Sequence, residues 1–423
     1  MKVVFLNSRD SGGGAAIAAV RLLDGVRDHG VDAQMLVQRK FTDNSSVVCT
    51  AANFGSKWAS ARTLLDFVPV KLYPNRNRFI FSPAYVPELL NRKITISQPD
   101  IVHLHWLGEG FLRLESLARF GRPMIWTLHD SWPFTGGCHI PFDCTKYREM
   151  CGWCPTLGSN CQYDLSRMVW RRKERIYRKL NLIVVSPSRW LAKCAESSSL
   201  LRGVPIKIIP NGLDLERFRP MDKAHARNVL GLPQDRRLIL FGAIDCTSDK
   251  NKGFHLLQSA LQRLAATGWS EKADLLVFGS PQPVNPPDFG LTTHYLGQVD
   301  DDSRVALIYS AADLFVAPSI QENLSNMVME AMACGTPSVA FDIGGMPDLI
   351  EHECNGYLAR PFDVDDLADG IAWGLSDGER LSTMSQRCRE KVSEYAIQSV
   401  SQRYLDLYRN VITEGSDSNN NRI

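Results

Sequence analysis

Long apolar runs are missing from this chain: no stretch approaches the ~20 apolar residues that a membrane-spanning helix needs, so a spanning role is not expected. Charge of one sign is scarce as well. The 48 Lys and Arg against 46 Asp and Glu leave a formal net charge of +2 over 423 residues. That is too little for strong global attraction to a polyanion, so no nucleic-acid partner is expected and any electrostatic partner must meet a local patch. Residues 1–6 are too short an apolar run for a secretory leader and give way at once to Asn7, Ser8 and Arg9, so they read as a first buried strand. A paired cysteine framework is absent too. The eleven cysteines are an odd number, and Cys49, Cys194, Cys246, Cys334, Cys354 and Cys388 are scattered, which argues against a disulfide scaffold. These absences point to the cytoplasm, or to a membrane surface facing it. What is present is core-forming material: 44% of residues are apolar. The length exceeds the ~250–300 residues at which one core stops growing, so two domains are expected.

The most informative stretch begins at residues 313–317, a short apolar run suited to a buried parallel strand and ended by Pro318 and Ser319. Ser325 is placed to cap a helix that Gly335 and Pro337 terminate, and residues 338–341 resume a strand. The whole reads as one right-handed crossover of a parallel sheet. Glu322 falls in the loop at the carboxyl end of the first strand, where open α/β sheets receive ligands, and Glu330 on the helix that follows. A helix starting near Asn326 aims free N–H groups and its positive dipole end at the same place, which favours a phosphate. Glu330 lies about 6–8 Å along the axis from the helix start, a reach suited to hydroxyls beside that phosphate. The arrangement suggests a nucleotide sugar, with diphosphate at the helix end, ribose at Glu330 and hexose at Glu322. The plain alternative is an ordinary crossover with both glutamates solvated.

Glu322 and Glu330, with seven residues between them, are followed by Ala331-Met-Ala-Cys-Gly-Thr-Pro337. Together with Gly12-Gly13-Gly14, Ile209-Pro-Asn-Gly-Leu-Asp214, Lys252-Gly253-Phe254, Gly344-Gly345-Met-Pro-Asp348 and Asn355-Gly356, this pattern resembles the E-x7-E signature of retaining GT-B glycosyltransferases of family 4 type (glycosyl transferases group 1). Within that family it resembles bacterial exopolysaccharide and colanic-acid-type biosynthesis glycosyltransferases. It implies an α/β fold of two Rossmann-like domains with parallel sheets facing across a deep cleft. It also implies transfer of a hexose or deoxyhexose from a nucleotide diphosphate sugar to a saccharide acceptor, lipid-linked, in polysaccharide biosynthesis, with retention and without a catalytic metal or cofactor.

Site residues follow from the residues and the resemblance together. Gly13 and Gly14 lie in a glycine-rich strand-to-helix turn whose backbone can approach a phosphate, or which is simply tight. Two predicted strands, 99–106 and 123–130, end in His103 and His105 and in His129 and Asp130. The resemblance places His129 against the donor sugar, with Asp130 orienting its ring. Lys252, in a strand-to-helix loop, would offset charge on a departing diphosphate, the electrostatic term that usually dominates such chemistry. Family members commonly carry an arginine where this chain has Ala243, and Lys250 is the candidate second cation. Asn323, Leu324 and Ser325 complete the donor loop, and Gly344 and Gly345 supply backbone donors. No carboxylate is placed by motif for attack on the far face of the anomeric carbon, so a front-face route is expected, the leaving phosphate helping to deprotonate the acceptor.

Cys138, His139, Cys144, Cys151, Cys154 and Cys161 fall inside 24 positions. Cys151-Gly-Trp-Cys154 has zinc-knuckle spacing, and Cys138 with Cys144 could complete a structural zinc site; a redox or merely packed group is the alternative. Residues 167–179 hold Arg167, Arg171, Arg172, Lys173, Arg175, Arg178 and Lys179 against Glu174. As a helix they present either a solvated face over an apolar stripe or a surface for an anionic bilayer, the cytoplasmic face of the inner membrane. The domains are expected at 1–219, with the cysteine-rich insert at about 138–161, and at 220–394, divided near Pro220. A helix over 395–414 crosses back to the first domain, and 415–423 is expected to be a disordered tail. Rival readings are a sugar-nucleotide epimerase or phosphorylase on the same architecture, or a non-catalytic binding subunit.

Overall fold

The computed structural model describes residues 1–50, 55–88, 90–242, 250–299 and 301–420. It divides into two compact units, Met1–Gly212 joined by the chain from Gln398, and Leu213–Ile397. The division falls at Gly212 rather than at Pro220, because Leu213 already pairs with the 395–397 segment of the second unit.

In the first unit, strands β1 (Lys2–Leu6), β2 (Asp32–Val37), β3 (Val47–Cys49), β4 (Ile101–Leu104), β5 (Met124–Thr127), β6 (Leu182–Ser186) and β7 (Ile206–Ile208) form one sheet in the order β3-β2-β1-β4-β5-β6-β7. Every neighbouring pair is parallel. The second unit has β8 (Arg237–Gly242), β9 (Ala273–Phe278), β10 (Thr292–Tyr295), β11 (Leu314–Ala317), β12 (Ser338–Phe341) and β13 (Gly356–Ala359) in the order β10-β9-β8-β11-β12-β13, again parallel throughout. Both are Rossmann-like α/β sheets. Their central strands read as unbroken apolar runs because both faces are covered. Val4 and Leu6 of β1 enter one core cluster while Val3 and Phe5 enter another; Leu238 and Leu240 of β8 are likewise separated from Ile239 and Phe241.

A buried carboxylate fixes β11 beside β8. Asp313 accepts from Lys223 and Arg227, each at 2.7 Å, and from the Leu238 N–H at 2.8 Å. Burial alone would raise this carboxyl, but Lys223, the backbone donor and Arg227 hold it below its usual value.

The terminal helix runs Ile397–Asn420 and buries Val400, Tyr404, Tyr408 and Val411 among residues of β1 and β2. Its backbone remains helical over 415–420, where a disordered tail is expected from composition, since extending an existing helix costs far less than nucleating one. Among the described residues no helix is long and apolar enough to cross a membrane.

Candidate active site

In the second sheet the strand order reverses between β8 and β11, the position at which open α/β sheets receive ligands. After β11 the chain forms the loop that carries Glu322, then the helix Asn326–Ala333. Ser325 caps that helix, its side chain accepting from the Val328 N–H at 3.3 Å. Glu330 is 7% exposed and accepts from the Tyr309 hydroxyl at 3.3 Å. Glu322 meets Lys252 Nζ at 3.2 Å, the two side chains 19% and 31% exposed. Neither glutamate is freely solvated.

Backbone contacts that no periodicity reveals hold the two loops together. Asn251 is buried; its carbonyl accepts from Ile320 N–H at 2.8 Å, its Oδ1 from Gln321 N–H at 3.0 Å, and its Nδ2 donates to the Gln321 carbonyl at 2.9 Å. Gly253 has φ +68, and a Cβ there would lie 1.8 Å from the Pro318 carbonyl oxygen. Gly344 has φ +56, and a Cβ would lie 1.9 Å from the Glu322 carbonyl oxygen. Lys252 and Glu322 are therefore carried by loops whose backbones touch where only glycine fits.

Several expected roles change. The Gly345 N–H donates to the Glu322 carbonyl at 3.1 Å, so it positions Glu322 instead of standing ready for a ligand. Leu324 is 5% exposed and packs into the core, which leaves only its backbone for a donor. The Ser325 hydroxyl oxygen is used as the helix cap. Asn323 is half-buried in the loop and Lys250 is exposed. Ala243 lies outside the described residues.

In the first unit, Gly13 caps the helix Gly14–Asp28 with no side-chain bond, after a turn through Gly12 at φ +81. The first N–H groups of such a helix have no intrahelical acceptor, and a Cβ at Gly12 or Gly13 would meet nothing within 4 Å, so the surface is open.

His103 is fully buried between Tyr408 (2.7 Å) and Thr127 (2.8 Å) and ties β4 to the terminal helix. His129 shares a hydrogen bond of 3.0 Å from its Nε2 to His105 Nδ1, and burial pushes it down to about 4 against the opposing pull of Asp130. At neutral pH it is an uncharged imidazole. Asp130 does not orient it. The Asp130 carboxylate is taken by Trp106 Nε1 at 2.5 Å, His139 Nδ1 at 2.6 Å and the Trp132 N–H at 2.8 Å, while His139 Nε2 meets Ser82 at 2.9 Å. The neighbour in sequence thus serves a partner nine positions on.

The basic helix, Leu165–Tyr177, is not a uniformly solvated face. Val169 and Ile176 of its expected stripe are buried, but so are Arg167 and Lys173. Arg172 is engaged with Glu115 at 2.9 Å and with the Pro83 and Ala84 carbonyls. The bilayer surface expected there loses these three cations. Cys138, Cys144, Cys151 and Cys154 line one small cavity, and Cys161 is exposed.

Residues 12–217 match the family described as Glycosyltransferase Family 4, and residues 235–377 the one described as Glycosyl transferases group 1. A D-inositol 3-phosphate glycosyltransferase of Saccharomonospora viridis is 30% identical over 331 residues, covering 73% of this chain and 70% of that protein. Among solved structures, sucrose-phosphate synthase of Thermosynechococcus elongatus superposes with a TM-score of 0.70 at 20% identity, covering 98% of this chain and 99% of its own. HepE of Anabaena, solved with UDP-glucose, gives 0.63 at 19% identity, covering 99% and 100%. At these identities the two structures establish the fold, of GT-B type.

Proposed function

This chain belongs to the family 4, group 1 glycosyltransferases, and from that premise we propose that it moves a hexose or deoxyhexose from a nucleotide diphosphate sugar to a saccharide, with retention of configuration. The observation that carries the reading is the Lys252–Glu322 pair at the strand-order reversal, beside the capped start of the Asn326–Ala333 helix. A diphosphate received there meets the helix dipole and an ammonium. Lys252 stabilises the leaving phosphate, Glu322 holds donor hydroxyls and the buried Glu330 holds the ribose. The UDP-glucose held by HepE supports a uridine nucleotide as the first donor to try. Thermal shift of the purified chain against UDP-, GDP- and ADP-sugars tests the donor: one nucleotide is expected to raise Tm by mass action, and no shift with any of them counts against the site. Product analysis separates transfer (free nucleotide and lengthened acceptor) from the epimerase and phosphorylase readings (isomerised donor, or sugar phosphate).

For the acceptor we favour a lipid-linked saccharide of the exopolysaccharide type, approached at a membrane surface. The support lies in the helix Gly55–Lys71 and the residue after it. Trp58, Leu64, Leu65, Val68 and Leu72 are 44–78% exposed, Lys57 and Lys71 are exposed beside them, and the helix's one acid, Asp66, is buried. Such an apolar face rimmed by lysines suits an anionic interface. Wild-type protein is expected to sediment with phosphatidylglycerol vesicles, and Leu64→Glu/Leu65→Glu to lower that partition roughly tenfold or more, since each buried leucine contributes about 1.5–3 kcal/mol. Equal sedimentation of both proteins, or none of either, removes the membrane. An inositol phosphate acceptor is the second reading, favoured by the name of the 30%-identical relative; supplying both acceptors in one assay decides between them.

A further inference from the structure

The cysteine-rich insert at about 138–161 belongs to the first unit and is built around a feature of its own. Cys138, Cys144, Cys151 and Cys154 come from separate irregular segments and line one cavity of about 10 Å³. That is about the room one water-sized sphere needs, far too small for a sugar or a nucleotide but sufficient for an ion. All four are free thiols, and they lie close enough that charge on one burdens the others.

Two cations are buried against the same cavity, and among the described residues neither side chain is hydrogen-bonded to a carboxylate. Lys173 is fully buried; its ammonium donates to the Trp132 and Thr135 carbonyls and lies 3.8 Å from the centroid of the Trp132 ring. Thr135 lines the cavity. Arg167 is 6% exposed, and its Nε has no hydrogen-bond partner. Its guanidinium abuts Gly152, another lining residue, where a Cβ would come within 3.2 Å of it. Neutral acceptors do not cancel a buried positive charge, so the two cations favour negative charge on the sulfurs beside them.

We propose that Cys138, Cys144, Cys151 and Cys154 bind one zinc ion as a structural tetrathiolate site, with Lys173 and Arg167 as its counter-charges. On binding, each thiol releases its proton to solvent, and four thiolates around a divalent ion leave a centre of net charge −2, which the two cations balance. Among the described residues no group of three or more His, Cys, Asp or Glu side chains is placed to hold a metal ion, so binding requires the thiols to rotate inward from the cavity wall to the ~2.3 Å of a zinc–sulfur bond. The metal then ties the insert to the start of the Leu165–Tyr177 helix and to the Trp132–Phe134 turn. It thereby fixes the segment from which His139 reaches Asp130.

Metal content of the full chain, purified without chelator, tests this. Mass spectrometry is expected to find about one zinc per chain, and cobalt replacement to give the thiolate-to-cobalt charge-transfer band of a tetrahedral site. Cys151→Ser/Cys154→Ser is expected to fall below about a tenth of that content, whereas Cys161→Ser, outside the cavity, retains it. Because the double variant is liable to misfold, chelation of the wild type supplies a second measurement: zinc leaves, Tm falls, and added zinc restores both. A wild-type chain that takes up no stoichiometric zinc, that holds these cysteines as disulfides, or whose double variant keeps its metal overturns the proposal.

Discussion

Turnover of a Lys252→Ala enzyme is expected to fall by roughly 10²-fold or more, the scale on which losing one preorganised electrostatic stabiliser acts. The ammonium is held 3.2 Å from Glu322 Oε2, on a turn that Asn251 fastens to the Glu322 loop. Its position is therefore set before any donor arrives, and none of the reaction's free energy is needed to place it. The loss will not be a folding defect. The pair's side chains are 31% and 19% exposed, and ion pairs open to water contribute only about 0–1 kcal/mol to stability, so Tm should barely move. Glu322→Ala should cost a comparable factor. The two carboxylate and ammonium groups touch, so the double variant should lose less than the product of the single losses, as coupled neighbours do. Steady-state kcat for the three variants, with Tm measured alongside, is the test. Both single variants turning over near the wild-type rate would remove the pair from the mechanism.

How far the sequence could be read depended on whether a feature was local. Strands β1, β4, β5, β11 and β12 are legible because each holds a short apolar run between breakers, and the helix at Asn326 because Ser325 and Gly335 mark its ends within a few residues; β10, Thr292–Tyr295, carries no such run. Contacts across the sheet are a different matter. Asp130 is adjacent to His129 in the chain, and adjacency suggested a pair; yet successive residues leave a strand end in different directions, and the carboxylate serves Trp106 and His139. The run of basic residues at 167–179 suggested a solvated face, but composition carries no record of the carbonyls that receive Lys173 or of Glu115, which receives Arg172. Asn251 stands between two lysines with no pattern to mark it, and its three bonds to the 320–321 loop appear only once β8 and β11 are side by side. The start of the second unit is hidden for the same reason: Pro220 breaks the chain locally, whereas the division at Gly212 is set by what Leu213 pairs with.

Gly253→Ala is the second substitution with a large expected effect, and it leaves Lys252 chemically intact. Gly253 caps the helix Phe254–Ala266 in the left-handed region, φ +68 and ψ 21, where a Cβ costs roughly 1–2 kcal/mol in any setting. Here there is a second cost. The new methyl would lie 1.8 Å from the Pro318 carbonyl oxygen and 2.7 Å from its carbon, and because both atoms are backbone no rotamer change relieves the overlap. The 250–253 turn must withdraw from the Pro318 loop by more than about 1 Å, stretching the Asn251 bonds and drawing the ammonium away from Glu322; a displacement of that size is enough to cost about 10²-fold in rate. Gly268→Ala separates the two costs. That glycine is also left-handed, at φ +89, but a Cβ there meets nothing within 4 Å, so the substitution should lower stability by about 1–2 kcal/mol and leave kcat near the wild-type value. Denaturant midpoints report the strain that the two variants share, and kcat reports the displacement that only Gly253→Ala suffers. If both variants keep wild-type turnover, the close approach of the two loops does not set the position of Lys252; if both lose it equally, loss of stability alone accounts for the effect.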